Sequence, residues 1–177
     1  RQDTHKAIVY GNDAQLFETV LMKNKRGYWT ICVSSQIGCA MACSFCATGT
    51  MGFKRNLTQD EIVDQYRFWA AYLAERPYLA QRISNVVFMG MGEPLANYEA
   101  VKGAINIWLE QTEMGPTRIT VSTVGVLTQL TKILDDNTWP DVRLAVSLHS
   151  ASQSKRESII RTTTSDFLNQ LKQWALA

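Results

Sequence analysis

No uninterrupted apolar run in the 177 residues comes near the roughly 18 positions that a membrane-crossing helix needs. Helical spanning of a bilayer is thereby excluded. The net charge is only +2, from 18 Lys+Arg against 16 Asp+Glu, too little for recognition of nucleic acid by bulk electrostatics. Any contact with a polyanion has to come from a local patch. Internal repeats, low-complexity tracts and linker-like segments are all missing, so nothing in the composition divides the chain. Residues 1–10 have neither the apolar core of a secretory signal nor the Arg-rich, acid-poor make-up of a transit peptide, and no targeting signal is visible.

What is present is globular: 46% hydrophobic and 19% charged residues, in a length typical of one domain with its own core. Short β-branched runs at 28–35, 83–89, 118–123 and 142–148 are the expected strands, and each is followed by a loop and a stretch of helical period. The clearest helix starts at Thr58, where Thr58 and Glu61 have capping-box spacing and Ile62, Val63, Tyr66, Trp69, Ala70 and Leu73 form one apolar stripe. Val101, Ala104, Ile105, Trp108 and Leu109 mark a second helix from about Asn97, and 127–134 a shorter third. This alternation predicts an α/β fold with a parallel sheet, four βα units making half of an eight-stranded barrel or an open sheet. Two strands at 6–10 and 15–22, joined at Gly11-Asn12-Asp13, predict a small antiparallel β extension over 1–27 ahead of a core at 28–177. Residues 165–177 read as a helix with Asp166 near its start and no Gly, Asn or Pro to end it, so a longer protein is expected.

Three of the four cysteines crowd into eight residues, Cys39-Ala-Met-Ala-Cys43-Ser-Phe-Cys46, directly after the first expected barrel strand. Thiolates this close on a flexible loop can converge on one inorganic centre, and sulfur-only ligation suits an iron-sulfur cluster or zinc. Zinc needs a fourth ligand, for which Cys32, His5 and His149 are the distant candidates. Disulfide pairing and metal-free burial are the remaining readings, both disfavoured by three regularly spaced thiols and no sign of secretion. The cysteine loop, Gly90-Met-Gly-Glu-Pro94, Ser122 and Ser147-Leu-His149 all fall at carboxyl ends of expected strands, where a parallel barrel assembles its site. Gly90 and Gly92 would allow close approach of a ligand, Glu93 could accept from an ammonium group, and Ser122 and Ser147 offer hydroxyls. Lys23, Lys25 and Arg26 in one turn, with Lys54 and Arg55 after the cysteine loop, are candidates for RNA phosphate contact.

Cys-x3-Cys-x-aromatic-Cys, with Phe45 as the aromatic, resembles the signature of radical S-adenosylmethionine (SAM) enzymes, which use a partial or full βα barrel. More specifically, Cys32-Val-Ser-Ser-Gln-Ile-Gly-Cys39, Gly49-Thr-Met-Gly-Phe-Lys-Arg-Asn-Leu57, Gly90-Met-Gly-Glu-Pro-Leu95 and Ser147-Leu-His149 resemble the RlmN/Cfr family of radical SAM adenine methyltransferases, over 18–156. The resemblance implies a 4Fe-4S cluster on Cys39, Cys43 and Cys46, with SAM held by Phe45, Gly92, Glu93, Ser122, Ser147, Leu148 and His149. It further implies Glu18 as proton acceptor and Cys32 as a second thiol, paired transiently with a methyl-carrying cysteine expected beyond Ala177. A cytoplasmic enzyme follows, served by an electron donor such as flavodoxin and methylating an adenine carbon in ribosomal RNA, with tRNA as a further candidate and no membrane partner. A peptide or small-molecule substrate, or a zinc-bearing nucleic-acid binding module, are the alternatives. After His149 the family continues Ala-Pro-Asn and later Pro-x-Asn, whereas this chain has Ser150-Ala-Ser152 and Ile160-Arg-Thr162, a departure that bears on the RNA more than on the cofactor.

Overall fold

A computed structural model describes residues 3–11 and 13–177. Strands β1 (Thr4–Tyr10) and β2 (Leu16–Lys23) lead into β3 (Trp29–Cys32), followed by β4 (Gln36–Gly38), α1 (Ala47–Thr50) and β5 (Phe53–Asn56). Then come α2 (Gln59–Ala74), β6 (Ile83–Phe88), a 3-10 turn (Pro94–Asn97) running into α3 (Tyr98–Gln111), and a second such turn (Pro116–Arg118) before β7 (Ile119–Thr123). Helix α4 (Leu127–Asp135), β8 (Arg143–Val146), α5 (Gln153–Ile159) and α6 (Phe167–Leu176) complete the order. One six-stranded sheet runs β1-β2-β3-β6-β7-β8, and β4 and β5 make a separate hairpin. Strands β3, β6, β7 and β8 are mutually parallel, while β1–β2 and β2–β3 pair antiparallel. The expected α/β architecture is therefore present, and its antiparallel lead-in is continuous with the parallel sheet through the pairing of Val20 with Cys32. Between β1 and β2 the turn closes by Gly11 N–H donating to the Gln15 carbonyl at 2.8 Å. Asn12, expected at its centre, lies outside the described residues.

Side chains alternate across a strand, so each face has its own composition. One face carries Phe17, Leu21, Trp29, Ile31, Val86, Phe88, Ile119 and Val121, all buried in one cluster with Ile62, Trp69 and Leu73 of α2 and Val101, Ile105 and Trp108 of α3. The capping box expected at Thr58 and Glu61 starts α2, with Glu61 N–H donating to Thr58 Oγ1 at 3.1 Å and Thr58 N–H to Glu61 Oε2 at 2.9 Å. Trp69 Nε1 donates to Thr19 Oγ1 at 3.0 Å, satisfying the one polar atom that this ring brings inside. The opposite face stays half-buried at Glu18, Val20, Thr30, Val87, Ser122 and Ala145.

The first barrel strand, expected through Ser35, stops at Cys32 because side chains take over its backbone bonds. Gln65 Oε1 accepts from Ser34 N–H at 2.8 Å while Gln65 Nε2 donates to the Ser34 carbonyl at 2.9 Å. Asn97 Nδ2 donates to the Ser35 carbonyl at 2.9 Å and the Leu57 carbonyl at 2.8 Å. The β4–β5 hairpin and α5 have no periodic apolar pattern and were not expected. Arg55, expected to meet phosphate, is instead spent inside the protein: it donates to both carboxylate oxygens of Asp13, each at 2.8 Å, and to Glu61 at 2.7 and 2.8 Å. The same guanidinium holds the Asp13 carboxyl well below the usual carboxylate range. Lys54 remains exposed.

Gln65→Met keeps the volume but strands the Ser34 N–H and carbonyl in a dry site, and should lower the unfolding free energy by about 2–4 kcal/mol. Urea titration followed by circular dichroism measures this, and a loss under about 0.5 kcal/mol would show that the clamp is dispensable.

Candidate active site

The parallel strands β3, β6, β7 and β8 all deliver their following loops to one edge of the sheet. There Gly90 and Gly92 let the loop after β6 press onto 33–36: a Cβ at Gly90 would lie 2.7 Å from the Val33 carbonyl oxygen, and one at Gly92, where φ is +98°, would lie 2.5 Å from Gln36 Cβ. The close approach seen at these glycines is one of the chain to itself. Gln36 Oε1 accepts from Glu93 N–H at 2.8 Å, and Gln36 Nε2 donates to Asn56 Oδ1 at 2.8 Å.

Glu93 is 2% exposed, and its carboxylate already accepts from Leu95 N–H at 3.0 Å and Val124 N–H at 2.8 Å. Burial pushes its acid upward against these bonds and a further one from the Thr123 hydroxyl. Each carboxylate oxygen has two lone pairs, so room for one more donor remains. The glutamate ties the β6 loop to the end of β7 before any ligand is considered.

The cysteine loop starts from the hairpin and ends in α1. Cys39 N–H donates to the Gly52 carbonyl at 3.1 Å, Cys46 N–H to the Cys43 carbonyl at 3.1 Å, and Ser44 N–H to the Ile159 carbonyl at 3.0 Å. Gly49 leaves space for the loop to fold back, since a Cβ there would stand 3.0 Å from Cys43 N. All four thiols are free; Cys39 and Cys43 are buried and Cys46 is partly exposed. Burial first, then the neighbouring charges, pushes the Cys39 and Cys43 thiols up, and Glu93 is among those charges for both.

Phe45 and His149 meet across the edge, ring centroids 4.3 Å apart, His149 standing in the left-handed region at φ +57°. Leu148 beside it is 41% exposed. The β7–β8 register pairs Ser122 with Ala145, putting Ser122 and Ser147 on the half-buried face. That face also carries Cys32, opposite Val20, and Glu18, two residues from Val20 on the same strand. Cys32 is 8% exposed, and its thiol is raised by burial and faces the Met89 N–H. Glu18 Oε1 is paired with Lys6 Nζ at 2.8 Å in an exposed bridge. His5, a candidate fourth zinc ligand, is on the other face, against Tyr72 through Nδ1 at 3.2 Å.

Three neighbours of the site were missed from sequence. Gln36 and Thr123 hold the Glu93 backbone and carboxylate, and a polar run after an apolar strand was the available signal for Gln36. Arg156 had no signal, because an arginine in a short polar helix reads as solvated. It is 1% exposed, bonds to the Val124 carbonyl and Thr163 Oγ1, and lies 3.8 Å over the Phe167 ring. With Met41, Val124, Thr163 and Phe167 it lines a cavity of about 210 Å³ behind the cysteine loop.

The model of the Radical SAM superfamily matches residues 33–175. The chain belongs to the radical SAM superfamily. It is 45% identical over 173 residues to a protein of Aquifex aeolicus named a probable dual-specificity RNA methyltransferase RlmN, covering 97% of this chain and 48% of that protein. A dual-specificity RNA methyltransferase RlmN of Xanthomonas axonopodis pv. citri is 43% identical over 161 residues, 89% of this chain and 39% of its own length. A radical SAM methyltransferase from Sphaerobacter thermophilus superposes with a TM-score of 0.85 at 37% identity, covering 98% of this chain and 51% of that one. The chain thus spans 39–51% of the length of these relatives.

Radical SAM proteins imply a cluster held by three thiolates together with SAM. The loop 39–46 carries three free thiols and no Asp, Glu or His of its own, which suits such a cluster chemically. Among the described residues, no three His, Cys, Asp or Glu side chains already converge on a single metal position. In the metal-free protein Cys46 should therefore be alkylated first at pH 8, ahead of buried Cys32, Cys39 and Cys43, by at least about tenfold in rate. Timed iodoacetamide labelling with peptide mass spectrometry reads this order, and equal rates would mean that the loop is open.

Proposed function

We propose that this chain carries the cofactor-binding part of a radical SAM RNA methyltransferase acting on an adenine carbon of ribosomal RNA, with tRNA as a second substrate, in the cytoplasm. The observation that carries the proposal is the cysteine loop and Glu93 meeting at the carboxyl edge of a parallel sheet, with Cys32 and Glu18 together on the adjoining half-buried face. In this reading Cys39, Cys43 and Cys46 hold a 4Fe-4S cluster, and Glu93, Gly92, Ser122, Ser147 and the Phe45–Leu148–His149 wall surround SAM. When bound, the cluster and SAM supply one-electron chemistry that reaches an unreactive aromatic carbon, which side chains alone cannot do. Glu93 adds a buried acceptor for the SAM ammonium group, and the half-buried hydroxyls orient its polar parts. In the same reading Glu18, paired with Lys6, takes a proton from the substrate, and Cys32 engages a second thiol. An electron donor such as flavodoxin is part of the same proposal.

Anaerobic reconstitution tests the cluster. The wild-type chain should turn brown with about four irons, while Cys39→Ala, Cys43→Ala and Cys46→Ala each lose nearly all iron and Cys32→Ala keeps it. A colourless protein with one zinc would support the binding module instead. With the four cysteines so assigned, no methyl-carrying thiol remains to face Cys32. Incubated with reductant and methyl-labelled SAM, the chain alone should release deoxyadenosine yet leave RNA unlabelled; labelled RNA would overturn the two-thiol relay.

A further inference from the structure

The rim at the other end of the parallel strands is basic. Each parallel strand is preceded or opened there by a cation: Lys25 and Arg26 in the turn before β3, Arg82 just before β6, Arg118 just before β7 and Arg143 as the first residue of β8. These strands are neighbours in the sheet, so the row spans three strand spacings, about 14 Å. All five side chains belong to exposed residues, and none joins an ion pair among the described residues, whereas Lys6, Arg55, Arg67, Arg76, Lys102 and Lys132 each have an acidic partner. Four of them border one open cleft of about 540 Å³ that has no acidic residue in its lining. The acid Glu113 borders an adjoining hollow with Arg82 and Arg118.

The cleft is built rather than merely solvated. Asn24 Oδ1 accepts from Arg26 N–H at 2.9 Å and Tyr28 N–H at 3.1 Å, and Gly27 takes φ +87°, so the turn holds Lys25 and Arg26 in place. Asn85 Nδ2 donates to the Arg118 carbonyl at 3.4 Å across the β6–β7 pair. The Arg82 guanidinium lies 5.4 Å from the centroid of the Tyr28 ring, which is 39% exposed and presents an aromatic surface at the cleft wall. Guanidinium forks match phosphate oxygens, and an open ring beside them suits an unpaired base. In a chain whose net charge is only +2, this unpaired cationic row is a local patch that can hold a polyanion.

We propose that this amino-terminal rim is a second RNA contact surface, gripping phosphates roughly 17 Å, the length of β6, from the edge that carries the cysteine loop. The proposal rests on the RNA reading of the site but uses none of its residues. It accounts for Lys25 and Arg26, which lie too far from the cysteines to serve the reacting base, and joins to them Arg82 and Arg118. A structured RNA would then be held at two ends of the sheet, the rim supplying sequence-independent grip and the edge the chemistry.

Fluorescence anisotropy on the whole 177-residue chain with a labelled, unmodified RNA hairpin bearing an unpaired adenine, between 50 and 200 mM KCl, tests it. The quadruple variant Lys25→Gln, Arg26→Gln, Arg82→Gln, Arg118→Gln should bind at least about tenfold more weakly, with a log–log salt slope shallower by about 2–3, near 0.7 per charge on single strands. The exposed-helix control Arg67→Gln, Lys172→Gln should match wild type, and unchanged circular dichroism in both variants keeps folding out of the comparison. Tight RNA binding by wild type with an equal slope in the quadruple variant would overturn the rim and leave the RNA reading standing. No RNA binding by wild type would overturn both, and rim-dependent binding to phosphatidylserine vesicles in its place would assign the patch to a membrane surface.

Discussion

The contact on which the site depends is the pressing of the loop after β6 onto the segment that follows β3. It exists because Gly90 and Gly92 have no Cβ; any side chain there would collide with Val33, Ser34 or Gln36. Once the two loops touch, polar groups must be matched, and one continuous chain of bonds does so: Asn56 to Gln36, Gln36 to the Glu93 backbone, and the Glu93 carboxylate to Val124 N–H. That chain fastens the β4–β5 hairpin, the β6 loop and the end of β7 to one another. The cysteine loop starts from the same hairpin, so its position relative to Glu93 is inherited from this contact. A buried carboxylate with several partners is costly to remove, because each lost acceptor leaves a donor unsatisfied.

Around this edge the sheet divides its labour by geometry. Its helix-covered face supplies stability through Trp29, Trp69, Trp108 and the aliphatic residues packed with them. The half-buried face leaves Glu18, Ser122 and Ser147 partly exposed, with Cys32 buried among them. The carboxyl edge gathers the sulfurs, and the opposite rim gathers unpaired cations. Arg55 shows how the same residue type can be withdrawn from ligand duty: pinned between Asp13 and Glu61, it braces the hairpin against the start of α2.

Much of this was legible beforehand, for identifiable reasons. Alternating β-branched runs and the stripe from Ile62 to Leu73 follow from local periodicity and apolar burial, so the strands, α2 with its capping box, and the parallel sheet could be read directly. The clustering of Cys39, Cys43 and Cys46 could likewise be read from their spacing, and the superfamily match at 33–175 includes them. The hairpin at 36–38 and 53–56 was invisible because four- and three-residue strands carry too few alternations to stand out.

Residue types and short-range spacing are properties of the chain alone, and they determined the element order, the apolar face of each helix and the clustering of the thiols. Tertiary structure decided what each polar residue is for. Gly90 and Gly92 let two loops touch; Arg55 serves ion pairs, Arg156 is buried over Phe167, and Lys25 and Arg26 fall at the end of the sheet away from the cysteines. The physical reason is that a charge or hydrogen-bonding group finds its partner across the fold, at sequence separations of 42 residues for Arg55 with Asp13 and 57 for Gln36 with Glu93, where no local pattern can record the pairing.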